Sequence, residues 1–186
     1  MKYRLIGFFV LFLLGVASTN AQSRFLTKQG HASFFSKAPL EDIEAHNYQV
    51  MSVIDLEDKN IAVSMLIKTF EFKKSLMQEH FNENYLESHK FPKATFKGSF
   101  ESATPIEAMK NATYEVDITG VLTIHGVAKD VQTKGTITMK DGKMMATTNF
   151  KVALEDHDVK IPKLVVKNIA EVVDVDIQLN CEPYKT

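Results

Sequence analysis

Six histidines are the side chains of this 186-residue sequence best suited to chemistry: His31, His46, His80, His89, His125 and His157. An imidazole binds transition metals through a neutral nitrogen and moves protons near neutral pH. Both tasks need partners at defined spacing, and none is present. The sequence holds no His-Glu-x-x-His and no Cys-x-x-Cys. His80 and His89 stand nine residues apart across the end of a predicted helix, which is not a recognised ligand spacing. No metal site is expected. His125, between a strand and a turn, reads as structural. Glu155-Asp156-His157-Asp158 mixes carboxylates with an imidazole, but adjacent side chains on an extended segment point apart. That run reads as a solvated loop before Ile161-Pro162. Asp174 and Asp176 share a strand face opposite Val173 and Val175, so they should face water. There is no Gly-x-Ser-x-Gly elbow and no glycine-rich phosphate loop. The one cysteine, Cys181, has no disulfide partner in the chain and reads as a small, half-buried residue near the C-terminus. Asn111-Ala112-Thr113 is a formal glycosylation sequon in a loop. The expectation is a protein that binds rather than catalyses, with no catalytic residue and no cofactor.

The N-terminus has its own physical signature. Lys2 and Arg4 precede the 13-residue apolar run Leu5–Ala17, followed by Ser18-Thr19-Asn20-Ala21. A basic tip, a short apolar core and a small-x-small site make a secretory signal, here residues 1–21 with cleavage before Gln22. The core falls short of the roughly 20 apolar residues that span a bilayer, so no membrane anchor is expected after cleavage. Residues 22–186 are enough for one domain with a real core. Without Lys2 and Arg4, 20 basic and 23 acidic residues remain, a net charge of −3. Such a surface argues against nucleic acid as a partner, since nucleic-acid binders show a basic stripe. A periplasmic or secreted location follows, and homodimerisation is left open.

The elements that must position any site are strands. Val63, Met65 and Ile67 alternate with Ser64, Leu66 and Lys68. Val116, Ile118, Leu122 and Ile124 alternate with Asp117, Thr119 and Thr123. Val173, Val175, Ile177 and Leu179 alternate with Asp174, Asp176, Gln178 and Asn180. A period of two puts one apolar face on each strand. The pattern predicts eight strands, at 24–36, 46–57, 60–70, 93–101, 113–125, 128–140, 143–154 and 170–180. Asp141-Gly142 is a two-residue hairpin signal, and Glu57–Asn60 and His125–Ala128 read as further tight reversals. Ser75-Leu76-Met77-Gln78 has capping-box spacing, and Met77, Phe81 and Tyr85 recur every four residues. They predict a helix over 76–87 packed across an opening of the sheet; a helical turn is expected near 163–169. Short links and one apolar face per strand favour an all-β, eight-stranded antiparallel up-and-down barrel with one inserted helix. Periodicity alone does not separate that barrel from a β-sandwich.

Three segments carry a resemblance. Leu122-Thr123-Ile124-His125-Gly126-Val127-Ala128-Lys129 resembles the strand–turn motif of the YceI family of exported lipid-binding proteins. Tyr85-Leu86-Glu87-Ser88 with Phe91-Pro92-Lys93-Ala94-Thr95-Phe96 resembles that family's helix end and the strand after it. Phe34–Ala45 is similar to a branch found in bacteria of the Bacteroidetes type. The segments run in family order over the mature chain. His46–Met51 departs from the glycine-and-aromatic pattern of many members, and without any tryptophan the chain lacks the Gly-x-Trp signature of true lipocalins. The resemblance implies a lipocalin-shaped barrel whose apolar channel holds a polyisoprenoid or similar long-chain lipid in the bacterial periplasm.

In such a barrel the inward faces line the ligand. Those positions are Val63, Met65 and Ile67, the helical Phe81, Phe96, then Val116, Ile118, Leu122 and Ile124. Ile137, Phe150, Val152, Val173, Val175 and Ile177 complete the set. The alternative is an exported structural or stress-related interaction protein whose barrel is filled by its own side chains, including those of the 13 phenylalanines in the chain.

Overall fold

The computed structural model describes residues 23–37, 41–161 and 170–184. The predicted signal at 1–21 and the expected helical turn at 163–169 lie outside the described residues. The strands are β1 (Arg24–Ser36), β2 (Ile43–Asp55), β3 (Asn60–Leu66), β4 (Glu71–Phe72), β5 (Lys93–Ser102), β6 (Ala112–Ile124), β7 (Val127–Lys140), β8 (Lys143–Ala153) and β9 (Val172–Pro183). Except for the two-residue β4, each pairs antiparallel with its neighbours in the order β1-β9-β8-β7-β6-β5-β3-β2, and a β1–β2 pairing closes the ring. The result is the predicted eight-stranded up-and-down barrel, not a sandwich.

Local chemistry sets the reversals. Asp141 and Gly142 have φ of 50° and 75°, the conformation a type I′ hairpin demands, and join the paired residues Lys140 and Lys143. His125 and Gly126, at 51° and 77°, do the same between Ile124 and Val127. At the β2–β3 turn, Asp55 accepts hydrogen bonds from the backbone N–H groups of Glu57 (3.0 Å) and Asp58 (3.3 Å). Its other oxygen takes the Arg24 Nε–H at 2.7 Å, tying β1 to β2 where the barrel closes.

Two sequence expectations are corrected. The third strand stops at Leu66 instead of reaching 70, and Ile67–Thr69 forms a 3₁₀ turn. The buried Asn47 of β2 causes the break. Its amide donates to Leu66 O at 3.0 Å and to Thr69 Oγ1 at 2.9 Å, folding the chain back so that β4 pairs with Ala45 and His46. The capping box does not form either. Helix α1 (Ser75–His80) has Lys74, not Ser75, at its N-cap, and Gln78 Oε1 accepts from the Phe72 N–H at 3.3 Å. The helix continues as a π-helical turn, Phe81–Tyr85, with Leu86 N–H donating to Phe81 O at 2.9 Å.

Candidate ligand-binding site

α1, the His125–Gly126 turn and the 3₁₀ turn Leu154–His157 gather at one end of the barrel, the helix end. Between them and the barrel's middle lies a cavity of about 300 Å³. All eight barrel strands contribute to its wall. Val63 and Met65 come from β3, Phe96 from β5, and Ile118, Leu122 and Ile124 from β6. Phe150 and Val152 of β8 and Val173, Val175 and Ile177 of β9 face them, with Ile67 and Phe81 at the helix end. β1 adds Ala32 and Phe34, β2 adds Ile43 and Ile54, and β7 adds Val131 and Thr133. Among the described residues no Lys, Arg, Asp or Glu lines it.

Two residues expected on the lining do not reach it. Val116 and Ile137 point inward but are packed, 3 % and 1 % exposed, among Phe100, Tyr114, Met139 and Met144. These side chains fill the half of the barrel nearest the Asp141–Gly142 turn, so the cavity is blind there. Above that floor, Gly98 and Gly120 face each other across β5 and β6. A methyl group on Gly98 would stand 2.2 Å from Thr119 O, and one on either glycine would stand 2.7 Å from the Phe96 ring. The missing side chains let Phe96 lie against the wall and keep the space open.

The helix end is held by aromatic packing. Phe81 stacks on Phe34 of β1 (centroids 5.5 Å, 21° between planes) and meets Phe70 at 5.6 Å and Phe72 at 5.0 Å. Phe34, Phe70, Phe72 and Met77 therefore belong to the lining, and the sequence reading missed them as site residues. The signal was available for Phe34, which falls on the inward face of the first predicted strand. Phe70 and Phe72 turn inward only because Asn47 bends the chain before them.

Four of the six histidines are held in two pairs, His31 with His46 and His125 with His157, and His80 and His89 lie apart from them. His125 is the hub of the helix end. Its Nε2 lies 3.1 Å from Glu87 Oε2 and its Nδ1 lies 3.2 Å from His157 O, while Phe91 packs edge-on at 4.5 Å. Both partners are acceptors, so a protonated ring donates to both and a neutral ring to one. Hydrogen bonds from Lys90 and then His125 hold the Glu87 carboxyl below its ordinary range. The solvated-loop reading of 155–158 holds for the exposed Glu155, Asp156 and Asp158 but not for His157. That ring is 3 % exposed and hydrogen-bonds through Nδ1 to Val127 O at 3.1 Å, because the 3₁₀ turn rotates it inward. His31 and His46 meet on the outer face of β1 and β2 at 3.1 Å, and burial lowers the pKa of His31. His80 lines the cavity mouth and His89 is exposed on the surface. Among the described residues no three or more His, Cys, Asp or Glu side chains gather in a metal-binding group. Cys181 is buried, and burial pushes its thiol pKa up to about 12.

Comparison with known proteins places this geometry. A family model described as a YceI-like domain matches residues 14–181. No curated protein matches the chain. Among solved structures, a polyisoprenoid binding domain from Saccharophagus degradans, implicated in plant cell wall breakdown, is similar with a TM-score of 0.73 at 14% identity, over 88% of this chain and 99% of that one. Burkholderia cenocepacia BcnA is similar with a TM-score of 0.67 at 17% identity, over 81% of this chain and 95% of its own. A Campylobacter jejuni YCEI protein matches with a TM-score of 0.51 at 17% identity, over 100% of this chain and 99% of its own. At these identities the structural likeness establishes the shared barrel.

Proposed function

The chain belongs to the YceI-like domain family, and we propose that it is an exported carrier holding the chain of a polyisoprenoid or similar long-chain lipid inside its barrel. The observation that carries this reading is the cavity of about 300 Å³, lined by apolar side chains from every barrel strand and, among the described residues, by no charged one. Pockets for small ligands begin near this size. The similar Saccharophagus degradans structure, described as polyisoprenoid binding, supports the ligand class. In this reading Val63, Met65, Ile67, Phe81, Phe96, Ile118, Leu122 and Ile124 contact the ligand, with Phe150, Val152, Val173, Val175 and Ile177 opposite. Val116 and Ile137 support the floor from below.

Affinity then comes from area rather than from any one contact. Each buried CH₂ contributes about 0.8 kcal/mol, so about ten buried carbons of a tail gain on the order of 8 kcal/mol before ordering costs. Binding, not turnover, is the activity this lining supports. Export follows from residues 1–21, with the mature protein beginning at Gln22 in the periplasm or outside the cell; intact mass of the exported protein checks the cleavage. The function itself is tested by extracting the purified protein with organic solvent and weighing what is released. A stoichiometric isoprenoid or other long-chain lipid is expected. A lipid-free extract, together with no uptake of added long-chain lipid, sinks the carrier reading and leaves a structural or interaction protein.

A further inference from the structure

We propose that the cavity is a one-ended site for a single-chain lipid alcohol, inserted tail-first, with its hydroxyl at the helix end between Tyr85 and His80. The proposal rests on the carrier reading and adds the ligand's orientation and head group. Orientation follows from the two ends. The deep end is closed by Ile54, Ile61, Ile118, Ala146 and Leu179, which offer no hydrogen-bonding side chain. Phe100, Val116 and Met139 pack the barrel interior below them. A polar head buried there would lose its water and gain no side-chain partner, a cost that a tail does not incur.

Several polar side chains on the lining are already engaged. Thr148 donates to Lys134 O at 2.8 Å, Thr133 donates to Asn149 O at 3.2 Å, Ser36 Oγ accepts from Ala170 N–H at 3.0 Å, and His157 is bound to Val127 O. Tyr85 and His80 both line the cavity from the helix, and neither side chain has a hydrogen-bonding partner among the described residues. Tyr85 packs beside Ile67, Leu86, Ala94 and Val159, where a phenol normally finds a partner. Burial raises its pKa, so the hydroxyl stays a neutral donor and acceptor at physiological pH. His80 is exposed and marks where the cavity meets solvent.

The uncharged head follows from the lining. A carboxylate or phosphate head drawn into this end would want a cation beside it, and among the described residues no Lys or Arg borders the cavity. A hydroxyl needs only the donor and acceptor that the phenol and the imidazole supply.

Displacement of N-phenyl-1-naphthylamine from the delipidated mature protein tests this with four probes of one chain length: dodecane, 1-dodecanol, dodecanoate and dodecyl phosphate. 1-Dodecanol is expected to displace the dye at about fivefold lower concentration than dodecane, the effect of one net hydrogen bond. Dodecyl phosphate should be the weakest of the four. Tyr85→Phe should erase the alcohol-over-alkane ratio and His80→Ala should reduce it; because the ratio is taken within one variant, a change in folded fraction cancels. Nuclear Overhauser contacts should join the terminal methyl of bound 1-dodecanol to Ile118 and Leu179, and its CH₂OH to Tyr85. Equal displacement by alcohol and alkane, tightest binding of the phosphate, an unchanged ratio in Tyr85→Phe, or reversed contacts overturns the proposal while the carrier reading stands. Failure of all four probes removes the carrier reading and this one with it.

Discussion

At the scale of single residues, position along an inward-facing row decides what a side chain does. Ile118 is 8 % exposed on the cavity floor, whereas the next residue, Thr119, is exposed on the outer face. Ile118→Asp puts an unpaired carboxylate among hydrocarbon and should cost about 3–5 kcal/mol, or force the acid to protonate. Thr119→Asp should stay within about 0.5 kcal/mol of the parent. Thermal melts of the two variants at pH 7 check the pair, and equal losses would mean that this strand's faces are misassigned. Cys181 gives a second test. A thiol held near pKa 12 by burial has almost no thiolate at pH 8. It should ignore a thiol-reactive disulfide reagent in the folded protein and react with one equivalent in denaturant. Fast labelling under native conditions would show that the C-terminal end of β9 does not stay closed over it.

At the scale of elements, the helix is an attachment rather than part of the ladder. No residue of α1 is buried, and Phe81, at the start of the π-helical turn, carries its packing onto Phe34, Phe70 and Phe72. Phe81→Ala should therefore cost about 2 kcal/mol, less than a fully buried phenylalanine. The loss should be local. Amides of 75–86 should exchange faster with deuterium while those of β6 and β7 keep their protection. Equal acceleration in the barrel would make the helix integral to it. The same contrast explains what the sequence disclosed. Strands, hairpins and the Met77–Phe81–Tyr85 stripe are local patterns, legible without knowing the fold. The break after Leu66 is imposed by Asn47, far back on β2, and no local pattern announces it. The capping box failed because the Phe72 N–H captures Gln78 from outside the helix. Alternation also gives a residue's face but not its height along the barrel axis. Val116, Ile118 and Leu122 read alike, yet Val116 packs the filled half while the other two border the cavity.

At the scale of the molecule, a closed barrel that fills only one half of itself carries a cost. Cavity formation in a core destabilises by about 24 cal/mol per Å³, so about 300 Å³ of unfilled apolar space is an upper-bound penalty of roughly 7 kcal/mol. Whole domains are stable by only about 5–15 kcal/mol, so filling this space should raise stability measurably. A ligand that binds only the folded state raises the melting temperature as its concentration exceeds Kd. Delipidated protein should thus melt well below protein as purified, and added 1-dodecanol should recover the difference. Ile118→Phe separates this from ordinary repacking. The side chain stands at the boundary between the filled and open halves, with its Cδ1 over Gly135. Where space exists, the larger ring occupies it. The delipidated variant should melt at or above the delipidated parent, and the gain from 1-dodecanol should shrink. Where the barrel is already full, the same ring overpacks the core and costs about 1–3 kcal/mol. Calorimetry on both proteins, with and without 1-dodecanol, decides between them. A lower melting temperature for Ile118→Phe, with no ligand-dependent shift in either protein, would mean that the open half is closed in solution and that the barrel is not a container.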